Sequence, residues 1–464
     1  MRRRDFLGSS LLAAQPAPSR PNILFIFVDD LGYGDLGVTG NRDVPTPHMD
    51  SLARDGVLFT QFYVASPICS PSRVAITTGQ FPSRHLIHSY LNDRKSHREQ
   101  GMRDWLDPSA PCVARTFKQS GYATGHFGKW HMGGGRDVGD APLPQAYGFD
   151  ESVTSFEGLG DRILIEGDGL SKQSAALGRG KIEWAPKHKL TELYVDRTID
   201  FIRRNREKPF YLHLWPCDVH DGHIPRPDLM ERYSRFSANP YLQRFYAVLD
   251  ELDRQIGRLL KALEDSGVAD NTIVALTGDN GPTAWPRYYK EGFEPPGSTA
   301  GLRGRKWSLY EGGIREPLLV RWKNGIPAGK VDKESIVGAV DLFPTFCSMA
   351  GVKPPTASFD GQDMSAAFRG KPKRRSKPLI WEYGRAGTYP LPGKQDDQSP
   401  NLAIRDGRWK LLINDDGSRQ ELYDFSQSDK ERVNVAARRP VVAKRLSTQV
   451  LNWRRSLPVA AKEL

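Results

Sequence analysis

Continuous apolar runs alternate with amphipathic stretches along most of this chain. Asn22 to Val28 reads NILFIFV, rich in branched and aromatic side chains. An unbroken run of this kind predicts a strand buried on both faces, as in a parallel sheet. Met49 to Gly56 predicts a short helix, and Val57 to Tyr63 a second strand. Cys112 to Gln119 has helical spacing and stops at Ser120-Gly121. Leu190 to Arg204 predicts an amphipathic helix leading into a strand over Phe210 to Trp215. Tyr241 to Ser266 predicts a long helix with Leu249, Leu252, Ile256, Leu259, Leu260 and Leu263 on one face. Further strands are predicted over Asn271 to Thr277 and Pro317 to Trp322. Helices alternating with apolar strands imply an α/β fold, a large mixed and mostly parallel sheet flanked by helices.

After about Gly351 the pattern changes. Pro, Lys and Arg crowd Gly370 to Pro378, and short strand-like runs follow at Leu379 to Tyr383, Asn401 to Arg405 and Trp409 to Ile413. Turns at Asp406-Gly407 and Asp415-Asp416-Gly417 join them into an antiparallel set, and a helix from about Pro440 to Ser456 closes the chain. The expected organisation is a leader over residues 1–20, a principal α/β domain over 21–375 and a smaller α+β subdomain over 376–464. Two stretches lack periodicity, Ser155 to Pro186 and Gly281 to Thr299, and are expected to be loops that shape a site.

Composition narrows the picture. The 464 residues carry a net charge of +11 and 38% hydrophobic residues, enough for a sizeable core. A basic surface attracts polyanions such as sulfated glycans or nucleic acids, though it also fits a merely soluble basic protein. No nucleic-acid-binding motif is present, so no nucleic-acid partner is expected. The leader has Arg3-Arg4-Asp5-Phe6-Leu7 ahead of a short apolar run, a twin-arginine-like export pattern. That run is too short to span a bilayer, so a periplasmic or secreted protein with no stable membrane insertion is expected. Four cysteines, Cys69, Cys112, Cys217 and Cys347, form neither a zinc pattern nor a disulfide framework.

Two acidic pairs and a histidine lie just past strand ends, where open α/β sheets bind ligands. The first strand runs into Asp29-Asp30, and the strand ending at Thr277 into Gly278-Asp279-Asn280-Gly281. Three carboxylates and an amide oxygen are hard donors that suit Ca²⁺ or Mg²⁺ better than zinc. Neighbouring residues aim at one ion only where the chain leaves the sheet, a turn that Gly32 and Gly281 would permit. Cys69-Ser70-Pro71-Ser72-Arg73 follows a loop-like approach, with Arg73 one turn on if a helix begins near Pro71. Lys129 and His131 are two apart and would face the same way on an extended chain, a cation beside a titratable imidazole. His220 stands just past the strand ending at Trp215, where it could protonate a leaving group. His213 inside that strand reads as structural and His223 as ambiguous. Lys306 lies in a cationic loop, Arg303 to Lys306.

These segments, in this order, resemble the type I sulfatases of the alkaline phosphatase superfamily. The resemblance runs from Asn22 nearly to the C-terminus and includes Val340 to Thr345 and Glu421 to Asp424. It implies an alkaline phosphatase-like fold and hydrolysis of a sulfate monoester, on a carbohydrate or small molecule. By this resemblance Cys69 is oxidised to formylglycine by a formylglycine-generating enzyme and becomes the nucleophile. Asp29, Asp30, Asp279 and Asn280 would bind one Ca²⁺ together with residue 69. Arg73 would stabilise the aldehyde hydrate, and Lys129, His220 and Lys306 would hold the sulfate. His131 would take the remaining hydroxyl proton to restore the aldehyde, and His220 would also serve as the acid. Arg305 and Trp307 are bulkier than many relatives have beside this lysine and are expected to narrow the pocket. His85, His88, Trp285 and Arg287 are candidate substrate contacts. Two other readings remain: a phosphate or phosphonate ester hydrolase, and a non-catalytic sulfated-glycan binder if Cys69 stays a thiol.

Overall fold

The computed structural model describes residues 20–385 and 389–460. The leader expected over residues 1–20 therefore lies outside the described residues, apart from Arg20. Eleven strands make the main sheet. They are β1 (Asn22–Val28), β2 (Val57–Tyr63), β3 (Ala123–Lys129), β4 (Glu151–Ser155), β5 (Arg162–Ile165), β6 (Ile182–Ala185), β7 (Phe210–Trp215), β8 (Thr272–Gly278), β9 (Arg315–Arg321), β10 (Lys330–Asp332) and β11 (Val337–Gly338). Their order is β10-β2-β9-β8-β1-β7-β3-β4-β5-β6, with β11 also on β2. Strand β9 pairs antiparallel with β2 and β8, and the other ladders are parallel.

Strand β1 shows why the apolar run is unbroken. Ile23, Phe25 and Phe27 enter one core with helix Cys69–Thr78, while Leu24, Ile26 and Val28 enter the other, with helices Leu190–Asn205 and Pro240–Asp265. Alternate side chains point to opposite faces, so a sheet covered on both sides needs apolar residues at every position. The long helix starts at Pro240 with Asn239 as its cap, whose side chain accepts from the amides of Tyr241 and Leu242.

The stretch Ser155 to Pro186, expected to be loop, instead holds β5, helix Gly169–Ala176 and β6, which extend the sheet edge. These strands are only four residues long, and β6 is partly exposed, so they carry little periodic signal.

A second sheet, β12 (Leu379–Glu382), β13 (Leu402–Asp406), β14 (Trp409–Ile413) and β15 (Glu421–Asp424), is antiparallel in that order. Helix Pro440–Arg455 packs on β13 and β14 to complete the C-terminal α+β subdomain. Among the described residues no helix is long and apolar enough to cross a membrane. The four cysteines are free and buried.

Candidate active site

The ends of β1, β3, β7 and β8 converge on one buried polar cluster. At the end of β1 the chain leaves the sheet at Asp30, whose φ of 59° places it in the left-handed region. The turn therefore falls on the aspartate itself, not on Gly32 as expected. Gly32 and Gly281 matter for close approach: a Cβ would lie 2.5 Å from Ser298 O at Gly32 and 2.0 Å from Gly312 O at Gly281.

Cys69 is the first residue of helix Cys69–Thr78, two residues earlier than expected, so Arg73 lies one turn along the same face. Arg73 is fully buried, with Nη2 2.8 Å from Asp279 Oδ2 and 3.3 Å from Asp29 Oδ1. Its guanidinium also rests over the rings of Trp215 and Phe27. Lys129 Nζ donates to Asp29 Oδ2 at 2.6 Å, and Lys306 Nζ donates to Asp30 Oδ1 at 2.5 Å while lying 3.5 Å from Cys69 Sγ. Three buried carboxylates thus face three buried cations, a balance that makes their burial tolerable.

Electrostatics follow from that packing. Burial opposes ionisation of Asp29, but Lys129, Arg73 and Lys306 outweigh it and hold the carboxyl well below its ordinary value. Burial and the Asp29 charge push Asp279 up to about 8. Burial pushes the Cys69 thiol up to about 12, so an unmodified thiol here is neutral and a poor nucleophile.

Both site histidines have a determined tautomer. His131 Nε2 lies 3.0 Å from the Leu91 carbonyl, which can only accept, so Nε2 carries the proton. Its Nδ1 is a buried lone pair with no hydrogen-bond partner, and burial holds the ring neutral. His131 has φ 52°, so the period-two argument that paired it with Lys129 does not describe the backbone there. His220 Nδ1 donates to Asp221 O at 2.7 Å, leaving Nε2 as the lone-pair nitrogen 3.9 Å from Asp30 Oδ2. Burial holds this ring neutral too.

The cluster can hold a cation. Ligand atoms of Asp29, Asp30, Cys69 and His220 all lie within 4.8 Å of one another. Asp30 Oδ2 and Asn280 Oδ1 are buried acceptors with no hydrogen-bond donor, and Asp29 Oδ1 has only the Arg73 guanidinium at 3.3 Å, without hydrogen-bond geometry. Unpaired buried oxygens are costly, and a hard divalent ion would satisfy all three. His220 enters this group, which the sequence reading did not foresee. Asp279 instead accepts from Arg73 Nη2 and from the Asp30 amide, the latter at 3.0 Å.

Other expectations resolve differently. Arg305 does not crowd Lys306: it donates to the carbonyls of Thr283, Pro295, Pro296 and Gly297. His88 is 1% exposed and lies in the field of Arg385 and Glu382, and His85 bonds Gln80. His223, ambiguous in sequence, bonds the Val219 carbonyl, while His213 is structural as expected and bonds Tyr211 inside the core. Lys187 was not foreseen. Its Nζ donates to the carbonyls of His220 and Gly222, both at 2.8 Å, so it clamps the His220 loop. No local pattern distinguishes it from the lysines around it.

A large α/β core with a buried cluster of cations and carboxylates beyond its strand ends places a ligand site where open α/β sheets carry one. The Sulfatase family model matches residues 21–352, and that of the N-sulphoglucosamine sulphohydrolase C-terminal region matches 304–455. The chain belongs to the sulfatase family and is a sulfuric ester hydrolase. It is 32% identical over 395 residues to N-acetylgalactosamine-6-sulfatase of Canis lupus familiaris, covering 82% of this chain and 71% of that one. It is 31% identical over 432 residues to arylsulfatase A of Bos taurus, covering 89% and 78%. The crystal structure of Ps i-CgsB in complex with k-i-k-neocarrahexaose superposes with a TM-score of 0.78 at 26% identity, covering 96% of this chain and 94% of that one.

Proposed function

We propose that the protein cleaves a sulfate monoester on a sulfated carbohydrate, using a formylglycine made from Cys69 and one Ca²⁺ held by Asp29, Asp30, Asp279 and Asn280 with residue 69. One observation carries this reading. Cys69 Sγ shares a 4.8 Å cluster with two aspartates and a histidine while the Lys306 ammonium lies 3.5 Å away. That surrounds residue 69 with hard oxygen donors ill matched to a thiol but suited to a hydroxyl. Calcium, when bound, supplies a Lewis acid that lowers the pKa of an attached hydroxyl.

The chain's own residues divide the remaining work. Lys129 and Lys306 would present ammonium groups to the sulfate oxygens, and a cation held by Asp29 and Asp30 would share the carboxylates these lysines bind. Arg73 is locked by two carboxylates, so it orients them and favours the hydrated form of residue 69. His131 receives a proton at Nδ1, the nitrogen its Leu91 bond leaves bare. His220 is neutral, so it must take a proton at Nε2 before it can protonate a leaving alcohol. The bound sulfate anion favours that protonation.

Maturation by a formylglycine-generating enzyme and export through the twin-arginine-like leader belong to the same proposal. Mass spectrometry of the tryptic peptide containing residue 69 tests it directly. The peptide is expected as the aldehyde in active preparations. An intact thiol in protein that still releases sulfate would refute the nucleophile. Matched sulfate and phosphate esters separate the principal reading from phosphoester hydrolysis, with sulfate expected to be the faster substrate.

A further inference from the structure

Trp285 is 41% exposed, five residues beyond Asn280. Its ring meets that of Trp307 edge to face, with centroids 4.8 Å apart and planes at 86°. Trp307 is only 3% exposed, directly follows Lys306, and donates its backbone N–H to Pro67 O at 2.9 Å. Its φ is 72°, a left-handed conformation that a bulky residue adopts only when the surroundings impose it. One indole is thus a buried support tied to the segments that carry Cys69 and Lys306. The other is a flat plate left in water. An exposed indole plate is the kind of surface that receives the apolar face of a sugar ring.

Arg287 stands two residues further on. Among the described residues its guanidinium bonds only through Nη2, to Asp221 Oδ1 at 2.6 Å and Tyr288 Oη. Its side chain is 51% exposed. Asp221 is the residue whose carbonyl accepts from His220 Nδ1, so Arg287 flanks the His220 side of the site. The Asp221 carboxylate is buried and fixes Arg287 through Nη2 alone, so the exposed Nε and Nη1 edge stays available to a second anion. The loop bearing both residues is rigid at its base, because Arg305 binds four of its carbonyls and Gly393 N donates to Ala284 O.

We propose that Trp285 and Arg287 form a carbohydrate subsite beside the sulfate pocket. It takes the sugar next to the sulfated one and selects a unit carrying a second anionic group, a carboxylate or a sulfate. The proposal rests on the sulfate-ester reading above and extends it to a polyanionic glycan chain. Trp285 supplies the stacking plate, Trp307 fixes its height relative to Lys306, and Arg287 reads the second charge.

Calorimetric titration tests the subsite on a Cys69→Ala background, which cannot turn over. The probes are chondroitin 6-sulfate and ι-carrageenan tetrasaccharides, the former also in carboxyl-reduced form. At least one tetrasaccharide is expected to bind. Trp285→Ala and Arg287→Gln should each weaken it by about tenfold, and Trp285→Phe should restore most of the loss. For chondroitin, the Arg287→Gln effect should shrink on the carboxyl-reduced form. Binding of neither tetrasaccharide, losses below about twofold, or failure of Trp285→Phe to recover would overturn the subsite. The two proposals fail separately. Release of sulfate from 4-nitrophenyl sulfate by the parent, with no effect of these variants on tetrasaccharide binding, removes the subsite alone. Tetrasaccharide binding that the variants weaken, in a mature protein that releases no sulfate, removes the sulfate-ester reading alone.

Discussion

Lys129 illustrates how finely charges are set at the level of single residues. Its ammonium is the largest attractive influence on Asp29, and both groups are buried. Lys129→Met would leave Asp29 with Arg73 at 3.3 Å as its close ion-pair partner and Lys306 further off, and breaking a buried pair costs about 3 kcal/mol or more. Thermal unfolding in chelator should show that loss, and added Ca²⁺ should recover part of it if the cluster binds the ion. A variant equally destabilised with and without Ca²⁺ would argue against a cation among these carboxylates. His131 makes a second case. Its neutral ring with a bare Nδ1 predicts that His131→Ala lowers turnover by about 10²-fold or more in the protein that remains folded, measured by steady-state rates on a sulfate ester. The residue types and their places just beyond strand ends were legible in the sequence. The left-handed conformations of Asp30, His131 and Trp307 were not, because tertiary contacts impose them against local preference.

Among the elements, the segment Arg303 to Glu311 that carries Lys306 is tied at several points to the C-terminal subdomain. Gly304 N donates to Asp397 Oδ1, Leu309 N to Ser399 Oγ, and Arg303 Nη1 to Tyr423 Oη. At its end, Glu311 Oε1 and Glu431 Oε1 share the fully buried Lys410 ammonium, each at 2.8 Å, and Tyr63 Oη donates to Glu311 Oε2. Strand β14 therefore acts as a positioning element for a residue that lies 104 positions earlier. Lys410→Met should raise KM for a sulfate ester more than it lowers kcat, because it loosens the Lys306 loop and leaves the reacting groups in place. Lys410→Arg should restore part of the loss, whereas a purely structural role would lower the amount of folded protein at unchanged KM. Sequence reading found the strands on both sides of this contact, since each carries its own period, but long-range ion pairs leave no periodic trace.

For the whole molecule, burial of acids sets a pH dependence. Burial pushes Asp35, Glu157, Asp218 and Glu431 each up to about 7. A carboxyl raised on folding contributes stability that is complete below its unfolded value and is lost as pH rises through its folded value. The buried histidines His85, His88 and His223 are lowered to about 4, and their contribution is lost only below about 6.5. Below about pH 6.5 the histidines offset the acids, so the metal-free protein should lose stability between about pH 6.5 and 8, seen as a falling calorimetric melting temperature. A flat or rising profile would contradict the protonated state of these acids. Local periodicity determined the α/β core, the antiparallel C-terminal sheet and the pairing of acidic residues with strand ends, because burial on one face or two is written residue by residue. The short edge strands β5 and β6, the entry of His220 into the cation-binding group, the clamp of Lys187 and the reach of the C-terminal subdomain to Lys306 were decided only by the tertiary structure. Each depends on which distant segments come to share a low-dielectric cavity, and single-chain spacing does not encode that.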